Sequence, residues 1–241
     1  MALLIAESSA VISIALQTLV ILGLLFGIHK ATQKLSLPEN EKKLIFRTGF
    51  VFVVGWFLLA LTLAVLDALH VSSNLISPGI PIFFVLAMVL GLKVIPKWKY
   101  FEQLLDAFPL HWLFLLQVPR VLGIVFLGLM DQGQLPALFA IPSAFGDMIT
   151  GLLAIVVAYW YWAKKQGAKK FAIVWNYFGI LDLILAISLG VLLAFPVPFQ
   201  IIPVTITTEI MTVFPMALVP TFAVPMGLLL HFYSLRVLNK K

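Results

Sequence analysis

Three ionisable side chains, Arg120, Asp147 and Asp182, stand near the middle of long apolar runs of the chain. A charge at the centre of a lipid bilayer costs about 3 kcal/mol on insertion scales, so each should face protein and find a partner. The guanidinium of arginine carries N–H donors in a planar fork that matches a carboxylate. Because the runs that hold Arg120 and Asp147 are joined by a short connection, we predict that these two residues form an ion pair, with Asp182 beside it.

The charges of these three residues do not balance, since two carboxylates face one guanidinium. A carboxylate left over in a medium of low dielectric constant holds a proton or attracts a cation. Such a cluster suits a proton-linked or cation-linked function, in which Arg120 contacts an anionic group or holds Asp147, and Asp182 titrates. The alternative is a structural clamp that ties three helices together around a permanently protonated spare carboxyl group. The sequence is compatible with both.

Polar residues that share a helical face with these charges are further candidates for substrate or ion binding. Gln117 lies one helical turn before Arg120, and Ser143 lies one turn before Asp147, with Thr150 one turn after it. Residues three or four positions apart are neighbours on a helix surface. Small residues at such spacing also let helices approach closely. Both patterns place the candidates on faces that pack against other helices.

The elements that position these residues are seven long apolar runs. The chain is 62% hydrophobic and only 11% charged, whereas a soluble domain carries about 25% charged residues. Each run is continuous and long enough for a spanning helix, without the alternation of a membrane β-barrel strand. We therefore predict an all-α, polytopic membrane protein that forms one seven-helix domain over residues 1–241. The predicted spans are 8–28, 45–69, 79–96, 110–130, 136–162, 171–195 and 210–236.

The basic residues predict the orientation of this bundle. Apart from Arg120, every lysine and arginine lies in the connections after the first, third and fifth runs, at the run ends next to those connections, or in the C-terminal tail. The positive-inside rule makes that side cytoplasmic, so the N-terminus is outside. We interpret the net charge of +6 as orienting charge that contacts anionic lipid, rather than as a nucleic-acid site. The expected location is the cytoplasmic (inner) membrane of a bacterium.

The chain has no cysteine, which excludes thiolate metal sites, and three histidines are weak candidates for metal ligands. His29, His111 and His231 fall near the cytoplasmic ends of runs one, four and seven. Their positions lack the HExxH or similar spacing that pre-organises metal ligands on one helix. An interfacial role is therefore favoured for all three, and the sequence indicates no cofactor.

Two membrane aspartates also suggest an intramembrane aspartyl protease, and residues 144–147 read AFGD, which resembles the GxGD motif of that family. Ala144 replaces the first glycine, however, and Leu181 rather than tyrosine precedes Asp182. An arginine alongside would keep a carboxylate ionised, whereas such a dyad must share a proton. An enzyme is therefore the least favoured class.

Run seven is marked by Pro215, Pro220 and Pro225. Each proline removes a helical hydrogen bond, so the run is predicted to be kinked or partly unwound. In a membrane such backbone is tolerated where it lines a cavity or is buried in protein.

Four segments carry a family resemblance: PRVLG, LPALFAIPSAFGD, WNYFGILDL and FPMALVPTFAVPMGLLLHFYSL. Together they resemble a group of uncharacterised bacterial multi-pass membrane proteins, over about residues 115–235. The resemblance implies that Arg120, Asp147, Asn176 and Asp182 belong to the common pattern of the group, which adds Asn176 to the candidate binding residues. It implies no activity.

The function favoured by the charges is therefore a small-solute transporter or channel-like protein, linked to protons, whose partners are the lipid bilayer and a small solute or proton. The alternative is a membrane binding or sensor protein whose charge cluster is structural. An oligomer is compatible with either.

Overall fold

The computed structural model describes residues 2–70, 78–194 and 202–240, with side chains from residue 11 onward except residue 13. These ranges are helical and contain no β-strand. Seven helical segments are long and apolar enough to cross a membrane, which confirms the predicted class and number of spans. We number these spans one to seven in chain order. They are Ile14–Gln33, Glu39–Val65, Gly79–Lys97, Leu110–Asp131, Ala137–Trp162, Ala168–Leu192 and Val219–Lys240.

Five of the spans are built on one principal α-helix each. These helices are α1 (Ala2–Gln33), α2 (Glu39–Val65), α3 (Gly79–Val89), α7 (Ala137–Trp162) and α8 (Ala168–Leu192). Span three continues from α3 through a π-helical turn and a 3-10 turn, and a short helix, α4 (Phe101–Ala107), follows it.

Span four is broken in the middle. It consists of α5 (Leu110–Leu115), a 3-10 segment (Val118–Ile124) and α6 (Val125–Asp131). Pro119 lies in the 3-10 segment, where its missing N–H prevents regular α-helical bonding. Arg120 follows it, so the arginine sits on irregular backbone in the interior of the span. A 3-10 stretch inside a helix is a common hinge or functional point.

The last span begins later than the sequence predicted. Residues 209–218 form a short 3-10 turn and further turns, and the span itself runs from Val219 through α9 (Val224–Lys240). The predicted start at 210 is therefore wrong, and so is the predicted end at 236. The predicted unwinding of this region is confirmed. Proline accounts for the delay, because it cannot supply the hydrogen bonds that would extend the helix toward residue 210.

Smaller differences affect spans one, two and six. Span two covers 39–65 rather than 45–69, since Leu66 caps it and Asp67 adopts a positive φ of 57°. Span six covers 168–192 rather than 171–195, since Leu193 caps it, and span one continues to Gln33 rather than ending at 28. Residue 195 lies outside the described residues, and so do the side chains of 8–10 at the predicted start of span one.

Two of the spans contain a π-helical turn, at Leu90–Val94 and at Val219–Ala223. In each turn a backbone carbonyl accepts a hydrogen bond from an aromatic side chain of another span. Tyr233 donates its hydroxyl to the carbonyl of Gly91 at 2.5 Å, and Trp56 donates its indole N–H to the carbonyl of Thr221 at 3.1 Å. These bonds satisfy polar backbone groups that water cannot reach inside a membrane.

The tightest packing joins spans four, five and six. The ring of Phe114 packs against Tyr161 and Trp175, with centroids 5.6 and 5.5 Å away. At Gly151, α7 approaches the 3-10 segment so closely that a Cβ would lie 2.6 Å from the backbone nitrogen of Val121. The break in span four is thus held against α7 by backbone contact, which fixes where Arg120 points.

Candidate functional site

The predicted ion pair is present and has a third member. Arg120 donates from Nε to Oδ1 of Asp147 at 2.6 Å and from Nη2 to Oδ2 of Asp182. The exposed fractions of the three side chains are 11%, 19% and 6% for Arg120, Asp147 and Asp182. One guanidinium therefore joins spans four, five and six inside the bundle, and Asp147 is the most accessible member.

A histidine is the third partner of the Arg120 guanidinium. Arg120 donates from Nη1 to Nε2 of His231, with 3.1 Å between the atoms. An arginine can only donate, so Nε2 must be the unprotonated, accepting nitrogen. The other ring nitrogen, Nδ1, then carries the proton and donates to Oδ1 of Asn176 at 2.9 Å. The imidazole is therefore neutral. Asn176 extends this series of hydrogen bonds by donating from Nδ2 to the carbonyl of Ala172 at 2.7 Å.

His231 corrects the sequence analysis, which placed it at the cytoplasmic interface. Its side chain is buried at 1% exposure, because span seven runs to Lys240 and so carries residue 231 near its middle. The spacing of Gly227, His231 and Ser234 was the available signal. Small and polar residues at these intervals share one helix face, and all three are buried.

Three glycines make room for the polar groups of the cluster. A Cβ at Gly123 would lie 2.6 Å from Cβ of Asp147. A Cβ at Gly146 would collide with the carboxylate of Asp182, and one at Gly179 would collide with the ring of His231. The absent side chains let the helices approach closely enough for Arg120 to reach its partners.

The other predicted site residues are buried but do not bond to the cluster. Gln117 donates from Nε2 to the carbonyl of Gly227 at 2.9 Å. The carbonyl of Thr150 accepts the indole N–H of Trp175 at 3.0 Å. The hydroxyls of Ser143 and Thr150 are buried and have no hydrogen-bond partner within the described part of the chain. Gln117 also lines a cavity.

The histidines considered as metal ligands are not brought together. His29 packs edge-on against Phe46, with ring centroids 5.7 Å apart, while His231 is engaged by Arg120. In the ranges that the structure describes, no group of three or more histidine and acidic side chains is placed to hold a metal ion.

A cavity of about 140 Å³ opens beside the cluster, between spans one, four and seven. Its polar lining consists of four side chains: Gln17, Gln117, Arg120 and Asp147. The rest of its wall is formed by aliphatic, methionine and phenylalanine side chains, proline and glycine. Asp182 and His231 do not line this cavity, so the described cluster has one side toward the cavity and one side toward packed protein.

These features define a multi-pass membrane protein with a buried Arg–Asp–Asp–His cluster at the edge of an internal cavity. The chain belongs to the family described as "Domain of unknown function (DUF8737)", whose model matches residues 77–239. The matched segment contains all four members of the cluster, whereas the part of the cavity wall formed by span one lies outside it. No curated protein and no solved structure matches the chain.

Proposed function

We propose that this protein is a proton-linked transporter of a small solute in the cytoplasmic membrane of a bacterium. One observation carries the proposal: Arg120 is shared by two buried carboxylates, and the more exposed of them, Asp147, lines a cavity together with the arginine. A permanent clamp needs only one carboxylate per guanidinium. The second carboxylate can bind and release a proton, which changes the net charge of the cluster.

The proposed coupling works through the fork of Arg120. With both aspartates ionised, the cluster has a net charge of −1, which is costly in a medium of low dielectric constant. A proton on Asp182 removes that charge and weakens the bond from Nη2, while the bond from Nε to Asp147 remains. Proton uptake thus changes how firmly span six is held to span four.

The backbone next to the cluster supports a movement of this kind. Arg120 sits on the 3-10 segment of span four, and span seven enters the membrane through the π-helical turn Val219–Ala223. Irregular turns inside helices are common at hinges and functional sites. Both segments contribute to the cavity wall, so a shift in either would change access to it.

The proposed orientation, with the N-terminus outside and the C-terminus in the cytoplasm, rests on the distribution of basic residues. Contacts between the connections agree with a common basic side. Glu102 of α4 accepts hydrogen bonds from Arg236 and Lys240 at the end of α9. Glu41, near the start of span two, accepts a hydrogen bond from Tyr100 at 2.9 Å.

Uptake into proteoliposomes tests this function. A panel of solutes is offered to the wild type, to Asp182→Asn and to a matched control, Asp131→Asn, with and without a pH gradient. Asp131 is the exposed last residue of span four, so its substitution should leave uptake unchanged. We expect gradient-driven uptake of at least one solute in the wild type and its loss in Asp182→Asn. Uptake that does not respond to Asp182→Asn would refute the proton-linked mechanism.

A second candidate is a membrane binding or sensor protein in which the cluster is structural. It is favoured by one observation: every nitrogen of the Arg120 guanidinium already has a partner, and Asp182 lies away from the cavity. For this function we expect that Asp182→Asn alters the free energy of unfolding, while neither solute nor protons cross the membrane in any variant.

A further inference from the structure

We propose that the cavity between spans one, four and seven binds a small lipophilic cation, namely an ammonium group on an apolar body, with its charged end at Asp147. The proposal rests on the function above and names the class of solute that the transporter would take. It follows from the size of the cavity, from the chemistry of its wall and from the sign of the charge at its polar end.

The size of the cavity limits the ligand to a small molecule. Its volume is about 140 Å³. An apolar cavity of roughly 150 Å³ in an engineered protein accommodates benzene. A ligand of about one aromatic ring with a short substituent therefore fits this volume, whereas the larger molecules that occupy pockets of about 300 to 1,000 Å³ do not.

The wall selects a ligand with an apolar body. Most of the lining is aliphatic or aromatic, with contributions from span one, span four and span seven. Phe126 and Phe222 are among the lining residues and are themselves buried. Aromatic faces attract a cation that lies over them, by roughly 2 kcal/mol when the pair is desolvated. Apolar bodies gain from leaving water at such a surface.

The polar end of the cavity has acceptors to offer. Asp147 uses Oδ1 to accept from Arg120, and its Oδ2 accepts no hydrogen bond from any described residue. Gln117 lines the cavity and donates its amide N–H to the carbonyl of Gly227, and its side-chain carbonyl oxygen supplies a second acceptor. An ammonium group has three donors and no acceptor, and it complements these two oxygens.

The charge of the cluster decides between a cation and an anion. With Asp147 and Asp182 both ionised beside Arg120 and with His231 neutral, the four residues sum to −1. An ammonium group at Asp147 brings the sum to zero. A carboxylate ligand would make the net charge −2 and would compete with both aspartates for Arg120. In a medium of low dielectric constant the first arrangement is favoured strongly.

Binding measurements on full-length protein in nanodiscs of uncharged lipid test this assignment. Three probes of one shape and different charge are compared: benzylamine as the cation, benzyl alcohol as the neutral form and benzoate as the anion. Empty nanodiscs correct each titration for partition into lipid. We expect benzylamine to bind at least about tenfold more tightly than either other probe, as for a charge that gains a buried partner.

Two variants test the position of the site. Asp147→Asn should weaken benzylamine binding about tenfold, to the level of benzyl alcohol, while the matched control Asp131→Asn should leave it unchanged. Ala223→Phe should abolish binding of benzylamine by filling the cavity. Ala223 lines the cavity and is exposed, so this variant tests the site even if Asp147→Asn fails to fold. Tighter binding of benzoate, equal binding of benzyl alcohol, no saturable binding, or full binding by Ala223→Phe would overturn the proposal.

The binding assay needs no gradient, so its outcome is separate from that of the uptake assay. Benzylamine that binds at Asp147 while no solute or proton crosses the membrane would leave the ligand class standing and refute transport. Gradient-driven uptake of another solute, with no benzylamine binding, would refute the ligand class alone.

Discussion

The carboxylate of Asp182 occupies the space in which a side chain at Gly146 would lie. Gly179 and the ring of His231 stand in the same relationship. Two glycines, one on α7 and one on α8, are therefore as necessary to the cluster as its polar groups. Each allows a buried polar side chain to pass directly over helix backbone.

Alanine at either glycine should destabilise the protein. A Cβ in a packed site forces side chains or backbone to move, at a cost of about 1–3 kcal/mol. The same change at Gly55 or Gly128 provides a matched control, since nothing lies within 4 Å of a Cβ there, and alanine in a helix is favoured by about 1 kcal/mol over glycine. Unfolding in detergent measures all four variants. Equal free energies of unfolding for Gly146→Ala and Gly128→Ala would contradict the close approach.

Removal of the arginine should cost more than removal of either acid. Arg120→Gln leaves Asp147 and Asp182 facing each other without a counter-charge, and breaking a buried ion pair in this way costs about 3–5 kcal/mol. Asp182→Asn leaves a balanced pair, so its cost should be smaller. Unfolding measurements give the order, and the triple variant Arg120→Gln, Asp147→Asn, Asp182→Asn should recover part of the loss. A triple variant no more stable than Arg120→Gln would show that the charges are not the cause.

The tautomer of His231 is fixed by its neighbours. Because Arg120 donates to Nε2 and Asn176 accepts at the other side, we expect a neutral ring with its proton on Nδ1. Nitrogen NMR on protein labelled at histidine distinguishes the two tautomers, and His231→Gln assigns the signal. The exposed His29 serves as the reference. A protonated Nε2 would show that the ring does not accept from Arg120.

The ion pair itself could be predicted from sequence because the cost of a charge in lipid leaves few alternatives. Arg120, Asp147 and Asp182 fall in consecutive spans, and a charge without a partner inside the membrane has a high free-energy cost. The cost of a charge depends only on residue type and depth, and not on helix orientation. The three residues that the structure brings together could therefore be predicted from their positions alone.

His231 and the glycines required information that hydropathy does not carry. Proline delays the start of span seven to Val219, nine residues after the predicted start. His231 therefore lies near the middle of the span, whereas the predicted bounds placed it near the end. Gly146 was part of a motif comparison, but its contact with Asp182 depends on the rotation of α7 against α8, which packing sets. The cavity depends in addition on span one, whose apolar face gives no directional signal.

The contact between the end of span two and the segment before span seven should respond to pH through His70. Its ring bonds to Glu209 at 3.1 Å and to Asp67 at 3.0 Å. The hydrogen bonds to Glu209 and then to Asp67 raise the pKa of His70 above its ordinary value, against partial desolvation. The folded protein thus favours the charged imidazolium. Its stabilising effect is complete below the unfolded pKa, near 6.5, and is lost as pH rises through the raised pKa of the folded state.

We therefore expect His70→Gln to lower the thermal stability at pH 5.5 and to have little effect at pH 9. The difference should stay below about 1 kcal/mol, because the site is partly exposed and solvent screens it. NMR titration should show a lower pKa for His70 in Glu209→Gln than in the wild type, while Glu39→Gln, at the opposite end of span two, should leave it unchanged. An equal His70 pKa in Glu209→Gln and in the wild type would exclude the contact between the end of span two and the segment before span seven.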